Sequence, residues 1–284
     1  MKTTPKIKVI ADSSSTRTEW CLIDDHEILA HAVTTGLNPM FLTRREISHI
    51  IRLELPKEFF HRRWDIIHFY GAGCSSPEKI KIVEASLVAQ FKTPADVESD
   101  MLGAARGLLL DQPGLACILG TGSNSCQYDG AAIVKRVRAG GFILGDEGGG
   151  SALGRLFIGD LIKDLAPREL IEEFEMQFNL TIDGIMDQVY NNPYANRNLR
   201  NYSLFLAEHI DNDYVRTLVT NEIDRFFVRH ICQYDYKELP VCFVGTIATK
   251  FSEILLQVAE RYDVKVKKIV SNSMPGLVSF HQMN

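Results

Sequence analysis

The chain has 284 residues, 45% hydrophobic and 24% charged, and its 31 Lys and Arg against 36 Asp and Glu leave a net charge of −5. That composition is ordinary for a globular protein with enough apolar material for a core, and the length makes two domains the expectation. The acidic balance, without any long basic run, argues against a general nucleic-acid or anionic-membrane surface, and no segment approaches membrane-spanning length.

Taken in chain order, Met1-Lys2-Thr3-Thr4-Pro5 carries no apolar signal core. Lys6 to Asp12, Glu19 to Asp24 and Ile28 to Thr34 are predicted strands, the last two joined by the turn Asp24-Asp25-His26-Glu27. Thr43-Arg44-Arg45-Glu46 is a capping signature, and Ile47, Ile50, Ile51 and Leu55 follow at helical spacing. Asp65 to Tyr70 is a buried-type strand. Ser76-Pro77-Glu78 opens a helix through Phe91, with proline where a first turn tolerates it. Ala95 to Ser99 is a short strand and Met101 to Leu110 a helix. Strands then recur at Leu115 to Leu119, Ser125 to Tyr128 and Ala131 to Arg138, with Asp129-Gly130 as a hairpin turn. A glycine-rich run from Gly140 to Gly150 leads into helices at Ser151 to Leu165 and Pro167 to Phe178. Asn191 to Asn196 is a polar loop, followed by helices at Tyr202 to His209 and Tyr214 to Ile231. Pro240 to Val244 is a strand meeting Gly245-Thr246-Ile247-Ala248 and a helix through Tyr262, and Val264 to Val270 is the last strand. A β-β-β-α-β-α order thus occurs twice.

Two stretches invite a chemical reading. Ile7 to Asp12 runs into Ser13-Ser14-Ser15-Thr16-Arg17-Thr18, and Leu115 to Leu119 runs into Gly120-Thr121-Gly122-Ser123-Asn124-Ser125. In each, a buried-type strand meets small or hydroxyl residues that present N–H groups and hydroxyls to an anion. One such loop is also ordinary turn chemistry, but two in matching positions suggest a nucleotide held between duplicated halves. Cys21, Cys74, Cys117, Cys126, Cys232 and Cys242 form no C-x-x-C pair, so they read as small hydrophobes in a reduced, cytoplasmic chain. The eight histidines, among them His61, His230 and His281, fall in no catalytic motif and read as incidental.

These loops, with Gly36-Leu37-Asn38-Pro39, Glu98-Ser99-Asp100-Met101-Leu102-Gly103-Ala104-Ala105, Gly145-Asp146-Glu147-Gly148 and Val244-Gly245-Thr246-Ile247-Ala248, stand in one order along nearly the whole chain. In that order the chain resembles the N-acetylglucosamine kinase branch, grouped with BadF/BadG-type ATPases, of the sugar kinase, actin and Hsp70 superfamily. The resemblance implies an α/β chain of two ribonuclease H-like, actin-like ATPase domains with a central cleft. They would span residues 1–112 and 113–284, with a return of the C-terminal segment to the first domain left open.

The resemblance further implies ATP and Mg2+ as cofactors and an amino sugar, foremost N-acetylglucosamine at its 6-hydroxyl, as acceptor. Asp12 would hold Mg2+ through water, a role open to one strand-end carboxylate because magnesium keeps most of its waters. Ser14, Ser15, Thr16, Thr121, Gly122, Gly245, Thr246 and Ala248 would bind ATP. Asp100 would be the general base, on a helix start whose N–H groups favour a carboxylate, although aspartate is also a routine cap there. Asn38, Asp100, Ser123, Asn124, Gly140, Gly141 and Asp146 would bind the sugar, with Glu147 a partner to that loop. The family's first loop carries glycine where this chain has Ser13 or Ser14, a substitution that costs conformational freedom if φ must be positive. An ATP-hydrolysing activator or a degenerate sugar- or nucleotide-binding regulator on the same fold are the alternatives. No nucleic-acid or membrane partner is expected, and a homodimer is left open.

Overall fold

The computed structural model describes residues 6–60 and 64–283. Met1 to Pro5 and His61 lie outside them. The chain divides into two compact units, the first drawn from Met1–Gln112, Asp129–Ile133 and Asn272–Asn284 and the second from Pro113–Tyr128 and Val134–Ser271.

In the first unit, β1 (Lys8–Ser13), β2 (Arg17–Ile23) and β3 (Ile28–Thr35) form an antiparallel meander. After α1 (Arg44–Glu54), β4 (Ile66–Gly71) joins the far side of β1 in parallel, and after α2 (Pro77–Phe91), β5 (Ala95–Ser99) joins β4 in parallel. The sheet order is β3-β2-β1-β4-β5, and α3 (Asp100–Leu109) follows at once. The caps form as the spacing predicts: Thr43 accepts from the Glu46 N–H while Glu46 reaches back to the Thr43 N–H, and Ser76 accepts from the Lys79 N–H. Trp20, Phe69, Ile47, Ile51, Val83 and Leu87 fill the core between the sheet and α1 and α2.

The second unit repeats the plan. β6 (Gly114–Leu119) pairs antiparallel with β7 (Ser123–Tyr128), and β8 (Ile133–Val137) lies beyond it. Six helices follow: α4 (Gly141–Leu144), α5 (Gly150–Leu161), α6 (Arg168–Phe178), α7 (Ile182–Tyr190), α8 (Ala195–Glu208) and α9 (Asp213–Arg229). β9 (Val241–Val244) then adds parallel to β6, and β10 (Val266–Val270) adds parallel to β9 after α10 (Thr246–Lys250) and α11 (Ser252–Arg261). The order β10-β9-β6-β7-β8 has the connectivity of the first sheet. Its core is aromatic, with Phe157, Phe174, Phe205, Phe226, Phe227 and Phe243 all buried.

Several expected boundaries are corrected. Val266–Val270 is the last strand, as expected, and α12 (Met274–Met283), a helix the sequence pattern did not predict, follows it and belongs to the first unit. Ala195 and Asn196 are not loop, because α8 begins there, and its buried Ala195, Leu199, Tyr202, Phe205 and Leu206 make one continuous apolar face. The helix after Gly149 stops at Leu161, and the one after Gly245 breaks at Phe251 into α10 and α11. α7 is a helix that the sequence pattern did not predict. Among the described residues no helix is long and apolar enough to cross a membrane.

Candidate active site

In the first unit the site is built on strand ends. Asp12 and Ser13 close β1, and the next four residues make a tight turn in which the Ser14 N–H donates to the Arg17 carbonyl at 2.9 Å. The Ser14 hydroxyl accepts from the N–H groups of Thr16 and Arg17 at 3.3 and 3.2 Å, so this serine holds the loop together. Ser13 is buried, its hydroxyl bonded to Thr18 at 2.8 Å and accepting the Leu37 N–H at 3.0 Å. Neither Ser13 nor Ser14 adopts a positive φ, so the feared backbone cost of serine in this loop does not arise. Gly36 abuts the turn: a Cβ there would lie 2.4 Å from the Ser14 carbonyl oxygen. Asn38 is buried and donates to the Ser15 hydroxyl at 3.0 Å, while its own oxygen accepts the Met40 N–H at 2.9 Å.

Asp100 is the first residue of α3, directly after β5, with Ser99 capping the helix by accepting the Leu102 N–H at 3.3 Å. It stands near enough to Asp12 for the two negative charges to interact. Crowding by protein pushes the Asp12 carboxyl up to about 6, and the repulsion of Asp100 and Glu19 adds to that rise; a hydroxyl bond from Ser273 and the charge of Arg17 oppose it. Ser273 was not singled out from the sequence. It sits just before α12, so no local pattern around Asp12 could have indicated it.

In the second unit, Gly120 to Ser123 form the matching turn, with the Gly120 N–H donating to the Gly122 carbonyl at 2.9 Å. The start of α5 packs on this turn: Gly150 and Ser151 donate their N–H groups to the carbonyls of Gly120 and Thr121 at 2.9 and 2.8 Å. Asp146, buried and in the left-handed region at φ 57°, accepts the Ser123 N–H at 3.2 Å. Gly122 has no room for a side chain, since a Cβ would meet the Asp146 carboxylate at 2.5 Å. Gly245, at φ 128°, passes over the end of β6 where a Cβ would lie 2.2 Å from the Leu119 carbonyl oxygen. Thr246 and Ala248 follow on α10, Ala248 wholly inside the core. Thr121, Gly122, Ser123, Asp146 and Gly245 are therefore gathered around one turn. Asn124 uses its side chain locally, accepting the Ser125 N–H at 3.0 Å.

Around this turn some groups are left without protein partners among the described residues. Ser123 and Ser151 have buried hydroxyls with no hydrogen-bond partner. At Gly120 a Cβ would meet nothing nearer than Ile118 at 4.0 Å, and at Gly141, φ 74°, nothing within 4 Å. Gly140 caps the short α4 in the left-handed region. The segment is braced by Glu147, which pairs with Arg229 at 2.7 Å and lies 3.6 Å from His230. His230 in turn bonds Ser125 at 3.0 Å, and Ser125 bonds the Tyr234 hydroxyl at 2.9 Å. His230 is thus a buried structural link and not incidental; burial lowers its affinity for a proton. A cavity of about 410 Å3 lies beside it, lined by Arg138, Gly140, Gly145, Glu147 and Arg229.

No protein-family model matches the chain, and no curated protein sequence matches it. Solved structures do. One from Porphyromonas gingivalis, named "Putative N-acetylglucosamine Kinase", is 39% identical over 97% of this chain and 99% of its own, with a TM-score of 0.93. A protein of the same name from Chromobacterium violaceum shares the fold at 15% identity and a TM-score of 0.78, covering 97% of this chain and 98% of its own. A ROK family glucokinase from Streptomyces griseus, solved with glucose and AMPPNP, shares it more distantly at 12% identity and a TM-score of 0.61, over 99% of both chains. By its identity with the first of these across almost its full length, the chain belongs to the N-acetylglucosamine kinase-like family of two-domain, actin-like sugar kinases.

Proposed function

We propose that this chain is an ATP- and Mg2+-dependent kinase that phosphorylates N-acetylglucosamine, or a close amino sugar, at its 6-hydroxyl, with Asp100 as general base. The likeness to the Porphyromonas gingivalis protein supports the activity class. The observation that carries the chemistry is a pair of carboxylates, Asp12 and Asp100, brought close by strand ends and a helix start within one unit.

The residues of the two turns fit a nucleotide and a magnesium ion. ATP bound with Mg2+ would supply the phosphoryl group, with the ion offsetting phosphate charge. Asp12 offers a strand-end carboxylate oxygen to hold the ion through water. Among the described residues no group of three or more His, Cys, Asp or Glu side chains forms a metal cage. Magnesium suits such a place, since it takes its remaining ligands from water and phosphate oxygens. The Ser14 N–H and hydroxyl and the Thr16 N–H are taken up inside the first turn, so Ser14 would shape that turn while Ser15 and the Thr16 hydroxyl donate to phosphate oxygens, with Thr121 and Gly122 as the donors of the other turn. The open face of Gly120 gives backbone a close approach, and Gly245 and Thr246 would supply backbone for the nucleoside; Ala248, expected to join them, is fully buried in the core and offers it no surface.

For the sugar, Asn38, Asp146, Gly140, Gly141, Ser123 and Asn124 would orient the hydroxyls and the N-acetyl group. The unpartnered, buried Ser123 hydroxyl is the telling one, because such a group is costly unless something arrives to bond it. Asp100 would accept the proton of the attacking sugar hydroxyl at its carboxylate. The enzyme would act in the cytoplasm on free sugar.

A coupled assay for ADP release over a panel of amino sugars tests this directly. N-Acetylglucosamine should give the highest kcat/KM. Asp100→Asn should lower kcat by about 10²–10⁴-fold, the usual worth of a positioned base, while calorimetry shows sugar binding within a few-fold. Undiminished turnover by that variant removes Asp100 from the chemistry.

A further inference from the structure

The segment Ser273-Met274-Pro275-Gly276 looks like a chain terminator, since proline and glycine in sequence ordinarily end regular structure. It instead starts α12, because proline in a first helical turn forfeits no hydrogen bond. Gly276 and Gly107 then make a reciprocal notch. A Cβ on Gly276 would lie 1.7 Å from the Gly107 carbonyl oxygen, and one on Gly107 would lie 2.7 Å from the Ser273 carbonyl oxygen. Only bare backbone lets α12 come this close to α3. Met274, Leu277 and Val278 bury against Ile10, Cys21, Ile23 and Tyr70. At the far end Lys8 donates to the His281 carbonyl at 2.6 Å, and the His281 ring bonds the Tyr70 hydroxyl at 2.9 Å. The helix is therefore pinned along its length, and the place of Ser273 is set by all of these contacts together.

That place is beside Asp12. The buried Ser273 hydroxyl donates to Asp12 Oδ2. Asp12 faces negative charge from two directions, Asp100 at the start of α3 and Glu19 across the strand pair, with Arg17 the nearby cation. On the β4 side its neighbour is Tyr70, whose hydroxyl is occupied by Arg106 at 2.9 Å and by His281. A carboxylate repelled by two others needs a donor to stop it rotating away, and Ser273 supplies that donor from a separate element.

We propose that Ser273 is a positioning residue: by fixing one oxygen of Asp12 it orients the other toward the hydrated metal ion of the bound nucleotide. This rests on Asp12 being the residue that holds that ion. Partners that orient a metal-binding group commonly matter about 10–100-fold in metal affinity when removed.

The test uses the full chain, ADP and Mn2+ as the probe, with free Mn2+ read by electron paramagnetic resonance. Ser273→Ala should weaken Mn2+ retention about 10-fold. Ser273→Thr, which keeps the hydroxyl, should restore most of it, whereas a serine that merely capped α12 would lose stability and leave Mn2+ retention unchanged. In turnover, Ser273→Ala should raise the Mg2+ concentration for half-maximal rate while kcat at saturating Mg2+ changes little. Gly276→Ala, which keeps the serine in the sequence but displaces it by holding α12 off α3, should give the same loss of Mn2+ retention. If Asp12→Asn releases Mn2+ and Ser273→Ala does not, the positioning role is wrong and the metal assignment stands. If Asp12→Asn itself retains Mn2+, the metal assignment fails and this inference falls with it.

Discussion

Gly120 and Gly245 are both glycines at the end of a buried strand, yet the structure gives them opposite reasons to be glycine. At Gly245 the reason is internal, a φ of 128° and a β6 carbonyl where a Cβ would sit. Alanine there must strain the backbone and push against Leu119, so a loss of about 1–3 kcal/mol or more is expected, readable as a lower urea midpoint. At Gly120 nothing in the protein needs the missing Cβ. Gly120→Ala should therefore leave thermal stability within about 0.5 kcal/mol of the parent, as surface substitutions usually do. If phosphate lies against that backbone, the same variant should weaken ADP binding at least 10-fold by calorimetry. Unchanged ADP affinity would take the second turn out of the nucleotide site. The two turns were legible in the sequence because both are strand-then-small-residue patterns. Ser273, Ser151 and the Glu147–His230–Ser125 link were not, because each reaches its partner from a distant part of the chain.

Between elements, α5 and α8 cross so closely that a Cβ on Gly154 would fall 1.9 Å from the Leu199 carbonyl oxygen. Backbone meets backbone there, so no side chain can move aside. Gly154→Ala should destabilise the protein by about 1–3 kcal/mol, the usual cost of overpacking, seen as a lower melting temperature by circular dichroism. An unchanged melt would mean that the two helices can separate freely. The same crossing explains which elements could be read in advance. α1 and α2 declare themselves through Thr43-x-x-Glu46 and Ser76-Pro77, signals confined to a few residues. α8 opens on Ala-Asn-Arg-Asn, a run that reads as loop, and its helical character comes from burying Ala195 and Leu199 against partners that no local window contains. α12 was hidden for a similar reason: Pro275 and Gly276 carry the local sense of a turn, while docking on Gly107 gives them a helical use.

Across the whole molecule one sheet plan is used twice, which the repeated strand order already showed, and each unit buries a histidine whose proton affinity burial lowers, His281 in the first and His230 in the second. The chain's two tryptophans, Trp20 and Trp64, are both buried in the first unit, so their fluorescence reports that unit's unfolding. The same unit holds His281, stacked on His68 with ring centroids 4.0 Å apart. Burial first, and then the charges of His68, Arg106 and Lys8, hold the His281 ring down to about 3 from an ordinary 6.5. The sign follows from linkage. Above pH 6.5 the ring is neutral in folded and unfolded chains alike, and its contribution is fully present. As pH falls below 6.5 the unfolded chain takes up a proton that the folded chain refuses until about pH 3. Stability should then fall with a slope approaching ~1.4 kcal/mol per pH unit, or about 2 kcal/mol between pH 6.5 and 5. Other groups add slopes of their own, so the comparison is between two chains. His281→Gln keeps an amide for the Tyr70 hydroxyl and has no proton to gain. It should be less stable than the parent at pH 7.5, and the gap in tryptophan-monitored urea midpoints should narrow steadily toward pH 5. Parallel curves for the two chains would show that His281 is already free to titrate in the folded protein, and that the end of α12 that carries it is not held as tightly as its contacts with Tyr70 and Lys8 require.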